Sequence, residues 1–407
     1  MLKKQEEKIF LEVRVMKNNE NKMLSKAKEV EDYVISFRRN LHENPELSNK
    51  EFETSKLIEK ELLKMGIEVK KAGNTSIIGI LKGKYPGKTV ALRADMDALP
   101  ILEQSGVEFS SKKKGLMHAC GHDAHTSMLL GAAKVLSDMK DEISGEVRFI
   151  FQEGEENFTG AKLIVADGVM EGVDGILGMH GMPNLKTGYA NAQSGYRFAG
   201  CDTIYVKFEG VSGHGSSPHL AKDTVHPACQ FVTDLQSIVT KNIDPLQHVV
   251  LSVGRIQGGT RANVISKYTE IDISMRYYDP EVRKVVHDGI KRHAKAIADA
   301  FEIKVDVEIE ESTKSLKNDD DMVELADTVL EKILGPGKNT KIPPFMGSED
   351  MSYYFEHAKG VYVNIGYKNE EKGSIYFPHH EKFKLDEDYF KLGVAIYTQF
   401  AIDFLNN

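Results

Sequence analysis

Residues 117–125 bring three histidines, one cysteine and one aspartate into nine positions of this chain. Thiolate and imidazole are the ligands that borderline-soft divalent metals such as zinc prefer. Cys120 and His122 are two residues apart, so in an extended segment both side chains would leave the same face. One such histidine alone is more often structural than ligating. The whole cluster, at the point where a loop enters an amphipathic helix, predicts a metal site.

More polar residues with the right chemistry directly follow three short apolar runs, residues 89–93, 147–151 and 175–179, which are typical of strands. They are Asp95, Asp97, Glu153, Glu155, Glu156 and His180. Sites in open α/β sheets form at the carboxyl ends of strands. The sequence therefore places its reactive residues where such a fold would place a site.

A hydrolytic metal site needs ligands from several parts of the chain, and two ions about 3.5–4 Å apart can share one of them. Of the adjacent acids Glu155 and Glu156, one could coordinate while the other serves as a general base. His379 or His380 could add a ligand from the end of the chain. Each feature alone has an ordinary structural explanation, such as a solvated acidic turn or a hydrogen-bonded histidine. Their joint occurrence favours a site.

Length, charge and cysteine content limit the classes of protein to consider. A chain of 407 residues exceeds what one hydrophobic core usually supports, so we expect two domains. A net charge of −8 argues against a nucleic-acid partner, and no apolar run is long enough for a membrane span. Three cysteines do not make a disulfide framework, so a reducing cytoplasm is expected.

Hydrophobic periodicity divides the chain into two kinds of structure. Up to about residue 197, strands alternate with helices, which predicts an α/β domain with a mostly parallel sheet. Residues 198–311 show a βαββαβ order, which is typical of a ferredoxin-like domain. The first domain then resumes over residues 312–407. We therefore expect the small domain to be inserted into the large one, with residues 1–23 as an N-terminal extension.

Several segments carry a family resemblance that covers the chain from about residue 30 onward. They are residues 39–47 (RNLHENPEL), 92–100 (LRADMDALP), 118–126 (HACGHDAHT), 151–156 (FQEGEE), 178–180 (GMH), 213–219 (GHGSSPH), 347–350 (GSED) and 379–383 (HHEKF). In these segments the chain resembles the dinuclear metallo-aminoacylase and metallocarboxypeptidase superfamily. Its nearest branch is that of hippurate hydrolases, N-acyl-amino-acid amidohydrolases and auxin-conjugate hydrolases.

The resemblance implies a role for each matching residue. The implied metal ligands are Cys120, His122, Glu156, His180 and His379. Glu155 matches the general base, and Asp97 would orient a ligand by a hydrogen bond. Asp95 stands where the wider superfamily has a ligating histidine.

The inserted domain also matches the family at functional positions. His214 matches a histidine that reaches the oxyanion, often from a partner subunit, and Asn263 and Arg276 match groups that contact the substrate. The resemblance thus implies that the inserted domain is a lid and dimerisation domain, and that the protein is a homodimer or a dimer-based oligomer.

Some positions depart from the branch. The acid loop is Gln-Glu-Gly-Glu-Glu instead of Gln-Pro-Ala-Glu-Glu, Gly215 replaces an alanine, and Ser266 replaces a proline. Glu381 follows the histidine pair where proline is frequent. None of these changes removes a ligand or the base, although they weaken any inference about the shape of the substrate pocket.

We therefore predict a cytoplasmic amidohydrolase that uses two divalent ions (Zn, Mn, Co or Ni) to cleave N-acyl-L-amino acids of hippurate or N-acetyl type. Within enzymes, the alternatives are a dipeptidase and an N-acetyl-diaminopimelate-type deacetylase. A catalytically silent ligand-binding homologue would have lost a ligand or the base, and none is lost. A thiol redox protein would need a resolving cysteine near Cys120, and the sequence has none nearby.

Overall fold

The computed structural model describes residues 22–406, so the predicted extension at 1–23 lies outside the described residues except for its last two. Those two, Lys22 and Met23, begin the first helix, and Met23 is buried. The helices are α1 (Lys22–Glu29), α2 (Glu31–Glu43), α3 (Phe52–Lys64), α4 (His122–Asp138), α5 (Gly160–Ala166), α6 (Val225–Asn242), α7 (Pro280–Ala300), α8 (Asp320–Leu334) and α9 (Phe390–Asn406). Within residues 22–406, no helix is both long enough and apolar enough to cross a membrane.

The strands follow the apolar runs of the sequence but extend beyond several of them. They are β1 (Glu68–Ala72), β2 (Ser76–Lys82), β3 (Tyr85–Asp95), β4 (Ser144–Gln152), β5 (Gly175–Lys186), β6 (Ala190–Asn191), β7 (Gly195–Phe198), β8 (Gly200–Glu209), β9 (Gly213–His214), β10 (Val249–Gly258), β11 (Val264–Ile265), β12 (Tyr268–Tyr277), β13 (Lys304–Thr313), β14 (Leu316–Asn318) and β15 (Lys359–Lys368).

The described chain forms two compact units. Unit 1 comprises the chain up to Gly195, Lys317–Pro343 and the segment from Tyr353 onward. Unit 2 comprises Tyr196–Leu316 and Pro344–Ser352. The domain boundaries at residues 197/198 and 311/312 stay predictions.

Unit 1 is built on a seven-stranded sheet in the order β1-β2-β4-β3-β5-β15-β6. The four central strands β4, β3, β5 and β15 pair in parallel, and the outer pairs are antiparallel. The central strands are almost continuously buried, which suits a parallel sheet that is covered on both faces. The α/β class with a mostly parallel central sheet is confirmed.

Helix α4 carries the start of the metal motif and packs against α2 and α9. It was predicted to be amphipathic, but nearly all of its side chains are buried. Gly131 explains how closely the helices approach, because a Cβ there would lie 2.6 Å from Val34 of α2 and 2.8 Å from Val394 of α9. The middle of α4 is thus held by close packing against α2 and α9.

Unit 2 has the order β8-α6-β10-β12-α7-β13, as the periodicity predicted. Its four strands form an antiparallel sheet in the order β10-β12-β8-β13, and α6 and α7 pack on one another. This is the ferredoxin-like arrangement. A second hydrophobic core lies between this sheet and the helices, built from side chains such as Phe208, Phe231 and Ile290.

A buried acid ties α7 to the sheet of unit 2. Asp202 on β8 is fully buried and accepts hydrogen bonds from Arg283 Nε (2.8 Å) and His287 Nε2 (2.7 Å). Burial would raise the pKa of Asp202, but the hydrogen bonds from His287 and Arg283 outweigh it and hold the pKa below 3.8. The ion pair therefore stabilises the folded state above about pH 4, and its contribution is lost as the pH falls through the lowered pKa.

We expect Asp202→Asn to reduce the free energy of unfolding by about 2 kcal/mol at neutral pH, because Arg283 and His287 would lose a charged acceptor while Arg283 keeps Glu311 at 2.9 Å. Below the folded-state pKa of Asp202 the difference should shrink, since the wild-type carboxyl is then neutral as well. Urea unfolding of wild type and variant at pH 7 and at low pH measures the difference in unfolding free energy under each condition. A loss of stability that is independent of pH would contradict the assigned role of the charge.

Candidate active site

The ligand cluster lies where the chain turns into α4. Gly121 takes a φ of 95°, a left-handed conformation that favours glycine, and His122 is the first residue of the helix. Cys120 is therefore in the loop and His122 is in the helix, so the two are not in one extended segment as the sequence suggested. The sharp turn at Gly121 brings both side chains to the same place.

His122 is fixed by Asp97, which follows β3. His122 Nδ1 donates to Asp97 Oδ1 at 2.9 Å, and the ring is buried. The other ring nitrogen, Nε2, is buried and has no hydrogen-bond partner within residues 22–406. Burial lowers the pKa of His122, but Asp95, Asp97 and Glu156 outweigh it and raise the pKa to about 10. The surroundings of Nε2 therefore favour a positive charge, which a proton or a metal ion can supply.

His180 offers a second ring nitrogen to the same place. The sequence placed it after a strand, but it lies inside β5, which runs on to Lys186 beside β15. His180 Nδ1 donates to the carbonyl oxygen of Gly181 at 2.8 Å, so Nε2 keeps a lone pair, 3.3 Å from Cys120 Sγ. Burial and the neighbouring His125 lower the pKa of His180 to about 3, so the ring is neutral. A neutral imidazole with a free lone pair is ready to bind a metal.

The acid loop follows β4 and contains Glu155 and Glu156. Glu155 is buried, and the backbone N–H of Glu156 donates to Asp97 Oδ2 at 3.0 Å. Gly154 takes a φ of 57°, and a Cβ there would lie 2.7 Å from both Asn49 Oδ1 and Thr159 Oγ1. The alanine of the related loops would not fit this conformation, so the glycine is part of how this loop folds.

His379 reaches the site from the loop before α9. Its Nε2 lies 3.2 Å from Glu156 Oε1, and its backbone N–H donates to the carbonyl oxygen of Ala119 at 2.7 Å. Its φ of 69° is uncommon for a residue with a side chain and indicates a conformation imposed by the fold. His380, the alternative, stacks on Tyr376 with ring centroids 4.6 Å apart.

The ligand atoms of the predicted residues meet in three overlapping groups, each with all atoms within 4.8 Å of one another. The groups are Cys120–His122–His180, Cys120–Glu156–His379 and His122–Glu155–Glu156. Burial, then the charges of Glu156 and Glu155, raise the pKa of the Cys120 thiol well above 9.0. A divalent cation would reverse this by stabilising the thiolate. The donor set and the orphaned Nε2 of His122 thus fit a metal centre.

Sequence reasoning missed the part played by His125. Its Nδ1 donates to Asp95 Oδ1 at 2.7 Å, and its Nε2 accepts the backbone N–H of Gly181 at 3.1 Å. Asp95 also accepts from Arg93 Nη1 at 2.8 Å. Asp95 and His125 are thus committed to hydrogen bonds that hold the strand of His180 beside α4. The i, i+3 spacing of His122 and His125 was the available signal, because it places both on one helix face.

We expect Asp97→Asn to weaken metal binding by about 10- to 100-fold, as loss of an outer-sphere carboxylate commonly does. Asp97 accepts three hydrogen bonds, from His122, from the backbone of Glu156 and from the hydroxyl of Ser48. An asparagine would turn an N–H₂ group toward one of these donors. Titration of the metal-free variant with Zn²⁺ in competition with a chelator measures the change, and an unaltered affinity would contradict this role.

The other predicted site residues belong to unit 2. His214 on β9 is exposed, pairs with Val264 of β11, and has its Nδ1 2.7 Å from Ser216 Oγ. The neighbouring Asn263 accepts a backbone hydrogen bond from Gly215 at 2.8 Å. Arg276 on β12 donates to Ser348 Oγ at 2.5 Å. Their roles toward a substrate stay predictions.

Residues 91–403 match the model of Peptidase family M20/M25/M40. The chain belongs to this family. It is 40% identical to thermostable carboxypeptidase 2 of Saccharolobus solfataricus, over 95% of this chain and 98% of that protein. It is 43% identical to an N-acyl-L-amino acid amidohydrolase of Geobacillus stearothermophilus, over 67% of this chain and 74% of that protein.

A solved structure supports the same conclusion at the level of the fold. A dinuclear metal-binding peptidase of the M20 family from Bacillus subtilis superposes with a TM-score of 0.82 at 32% identity, over 93% of this chain and 99% of that one. The resemblance stated from the sequence is thereby confirmed. As a member of this family, the protein is a metal-dependent hydrolase that acts on amide bonds.

Proposed function

We propose that this M20 family protein is an amidohydrolase that removes the acyl group of N-acyl-L-amino acids. The observation that carries the proposal is the convergence of Cys120, His122, His180, Glu156 and His379 in overlapping groups, together with the buried Glu155 beside His122 and Glu156. The similarity to the Geobacillus amidohydrolase supports the substrate class.

Two divalent ions would be held by the two groups that share Cys120, since one contains His122 and His180 and the other contains Glu156 and His379. The Bacillus relative is itself described as binding a dinuclear metal. Thiolate and imidazole suit Zn, Co or Ni, and the carboxylates also tolerate Mn. A bound cation supplies Lewis acidity, which polarises the scissile carbonyl and lowers the pKa of water.

The residues of the chain divide the remaining work. The carboxylate of Glu155 takes a proton from the attacking water and later delivers it to the departing amine. Asp97 holds the ring of His122 through Nδ1, so that Nε2 faces the site. His214 would donate to the oxyanion, where charge develops only in the transition state. Asn263 and Arg276 would bind the carbonyl and the carboxylate of the substrate. The products are a carboxylate and a free amino acid.

Assembly and location belong to the same proposal. We infer that the protein is a cytoplasmic homodimer in which the ferredoxin-like unit supplies the dimer contact and acts as a lid. Size-exclusion chromatography with light scattering measures the mass of the assembly. A monomeric mass at working concentration would overturn this part of the proposal.

A carboxypeptidase or dipeptidase is the second candidate, and the similarity to the Saccharolobus carboxypeptidase favours it. The amidohydrolase and the carboxypeptidase or dipeptidase all cleave the amide next to a free α-carboxylate. They differ only in the group on the other side of that amide, which is a simple acyl group in the first case and an amino acid or peptide in the second.

The deciding experiment combines metal content with a substrate panel. Purified protein is analysed for bound metal and then assayed with N-acetyl- and N-benzoyl-amino acids, dipeptides and acylated dipeptides. Each substrate is tested with added Mn²⁺, Zn²⁺ or Co²⁺ and with a chelator. We expect chelator-sensitive release of amino acids from the simple acyl substrates. Faster cleavage of peptides than of acyl amino acids would favour the carboxypeptidase. Full activity without metal would overturn both the amidohydrolase and the carboxypeptidase proposals.

A further inference from the structure

Two fully buried carboxyl groups flank a single hydroxyl beneath the acid loop. Glu51 Oε2 lies 2.8 Å from Thr75 Oγ1, and Glu153 Oε2 contacts the same oxygen atom from the other side. Thr75 is the last residue of the turn before β2, Glu51 precedes α3, and Glu153 begins the acid loop. The three residues therefore join distant segments of unit 1 to the loop that carries Glu155 and Glu156.

The hydrogen bonds of this cluster cannot all form if both carboxyl groups are ionised. The hydroxyl of Thr75 has one proton, so it can donate to only one of its two carboxyl neighbours. The other contact would then join an oxygen lone pair to a negatively charged oxygen. A second proton must lie in the cluster, on one of the two carboxyl groups.

The remaining contacts of Glu51 and Glu153 indicate which of the two carboxyl groups holds the second proton. Glu153 accepts backbone N–H groups at both oxygens, from Asn74 at Oε1 (2.8 Å) and from Thr75 at Oε2. Glu51 accepts from the backbone of Asn49 (3.0 Å) and Gly154 (2.9 Å), but both bonds reach Oε1. The backbone N–H of Glu51 also faces its own carboxyl, and among the other described residues the hydroxyl of Thr75 is the group hydrogen-bonded to Glu51 Oε2. That oxygen is the natural place for the proton.

We propose that Glu51 is a neutral carboxylic acid that donates to Thr75 Oγ1, that Thr75 donates to ionised Glu153, and that this relay positions the acid loop. The loop is held at two points, through Gly154 N–H on Glu51 and through Glu153 on the β1–β2 turn. The charged groups that face Glu51 are the acids Asp97 and Glu153. Burial and the charge of Asp97 raise the pKa of Glu51 to about 7, which agrees with the proton count.

Glu153 and Gly154 are the two positions at which this loop departs from the related sequences. Both replacements take part in the relay. Glu153 supplies a carboxylate, and Gly154 allows the φ of 57° that turns its N–H toward Glu51. The positioning of Glu155 and Glu156 rests on the proposed function, whereas the location of the proton does not.

The same substitution should be tolerated at Glu51 and harmful at Glu153. In Glu51→Gln, the amide oxygen can accept from Asn49 and Gly154 while the N–H₂ group donates to Thr75, as the neutral acid does. In Glu153→Gln, the N–H₂ group must face a backbone N–H, because both oxygens of Glu153 are acceptors. We expect the unfolding midpoint to stay within about 2 °C of wild type in the first variant and to fall by roughly 3–10 °C in the second.

Infrared spectroscopy of the metal-free protein detects the proton itself. We expect the difference spectrum of wild type minus Glu51→Gln in D₂O at neutral pH to contain the carbonyl band of a protonated carboxyl. This band should disappear when the pH is raised well above 7. Glu142→Gln is the matched control, since Glu142 is exposed and pairs with Lys22 at the surface, and its difference spectrum should lack the band.

Cobalt titration measures the positioning role, because Co²⁺ bound by the thiolate of Cys120 absorbs light. We expect Glu153→Gln to weaken Co²⁺ binding by about 10- to 100-fold and Glu51→Gln to change it by less than about threefold. The assignment of the proton to Glu51 would be refuted if the protonated-carboxyl band were absent from the infrared spectrum. It would also be refuted if Glu51→Gln lowered the unfolding midpoint while Glu153→Gln did not. Normal Co²⁺ affinity in both variants would refute the positioning role. A protein that fails to hydrolyse acyl amino acids would leave the infrared and unfolding results unchanged.

Discussion

Replacing Glu155 by glutamine is expected to lower kcat by about 10²- to 10⁴-fold while leaving the metal content unchanged. Glu155 is buried and its carboxyl lies within 4.8 Å of the ligand atoms of His122 and Glu156. The amide has nearly the shape of the carboxylate but cannot accept a proton. Single-turnover hydrolysis of an N-acyl amino acid, together with metal analysis of the same sample, measures both quantities.

Glu142→Gln serves as the control for Glu155→Gln, because Glu142 is 58% exposed and pairs with Lys22 at the surface. Exposed ion pairs contribute little to stability, so this variant should retain wild-type kinetics. Wild-type turnover in Glu155→Gln would contradict the assignment of the base. Loss of metal in that variant would instead identify Glu155 as a ligand.

Removing the thiol in Cys120→Ala is expected to reduce the metal content from about two ions per chain to one or none. Cys120 belongs to both groups proposed to hold the ions, so its loss weakens each of them. Because a bound cation contributes several kcal/mol to stabilising charge in the transition state, hydrolysis should fall by about 10³-fold or more. Metal analysis after dialysis and steady-state assays in added Zn²⁺ or Mn²⁺ measure the two effects.

Cys229→Ala is the matched control for Cys120→Ala, since Cys229 is an exposed free cysteine on α6. It should keep both the metal and the activity. If Cys120→Ala binds as much metal as wild type, the thiolate is not a ligand. If excess Zn²⁺ or Mn²⁺ restores full activity to Cys120→Ala, the thiolate contributes only to the affinity for metal.

Much of the fold was predictable because local patterns and the final structure agree. The periodicity behind the predicted βαββαβ order is clear in β12, where Ile271, Ile273 and Met275 alternate with polar neighbours and are buried in the core of unit 2. The burial of α4 was not predictable from its own sequence. Its polar face includes His125 and Thr126, which are buried because β3 supplies hydrogen-bond partners to both.

The candidate site was predictable as a set of residues but not as an arrangement. Residue types and spacing left Glu155 and Glu156 interchangeable, and likewise His379 and His380, and only the family resemblance assigned a role to each. The structure separates the histidines because Glu156 meets the ring of His379, while that of His380 stacks on Tyr376.

The protonated relay could not have been predicted from the sequence. Glu153 looked like a departure from the related loops with no evident purpose. Its carboxylate is satisfied by the turn at Asn74 and Thr75, far away along the chain. A buried acid can be interpreted only when the donors around it are known.

The kinds of candidate ligand, the α/β and ferredoxin-like patterns and the family could be inferred before the fold was known, because they depend on composition, spacing and periodicity along the chain. Which atoms meet depends on the three-dimensional fold. Contacts such as Asp95 with His125 and Glu156 with His379 depend on how strands pair and how helices pack between segments far apart in sequence. Those long-range contacts fix the ring nitrogen that each histidine presents and the carboxyl group that keeps a proton.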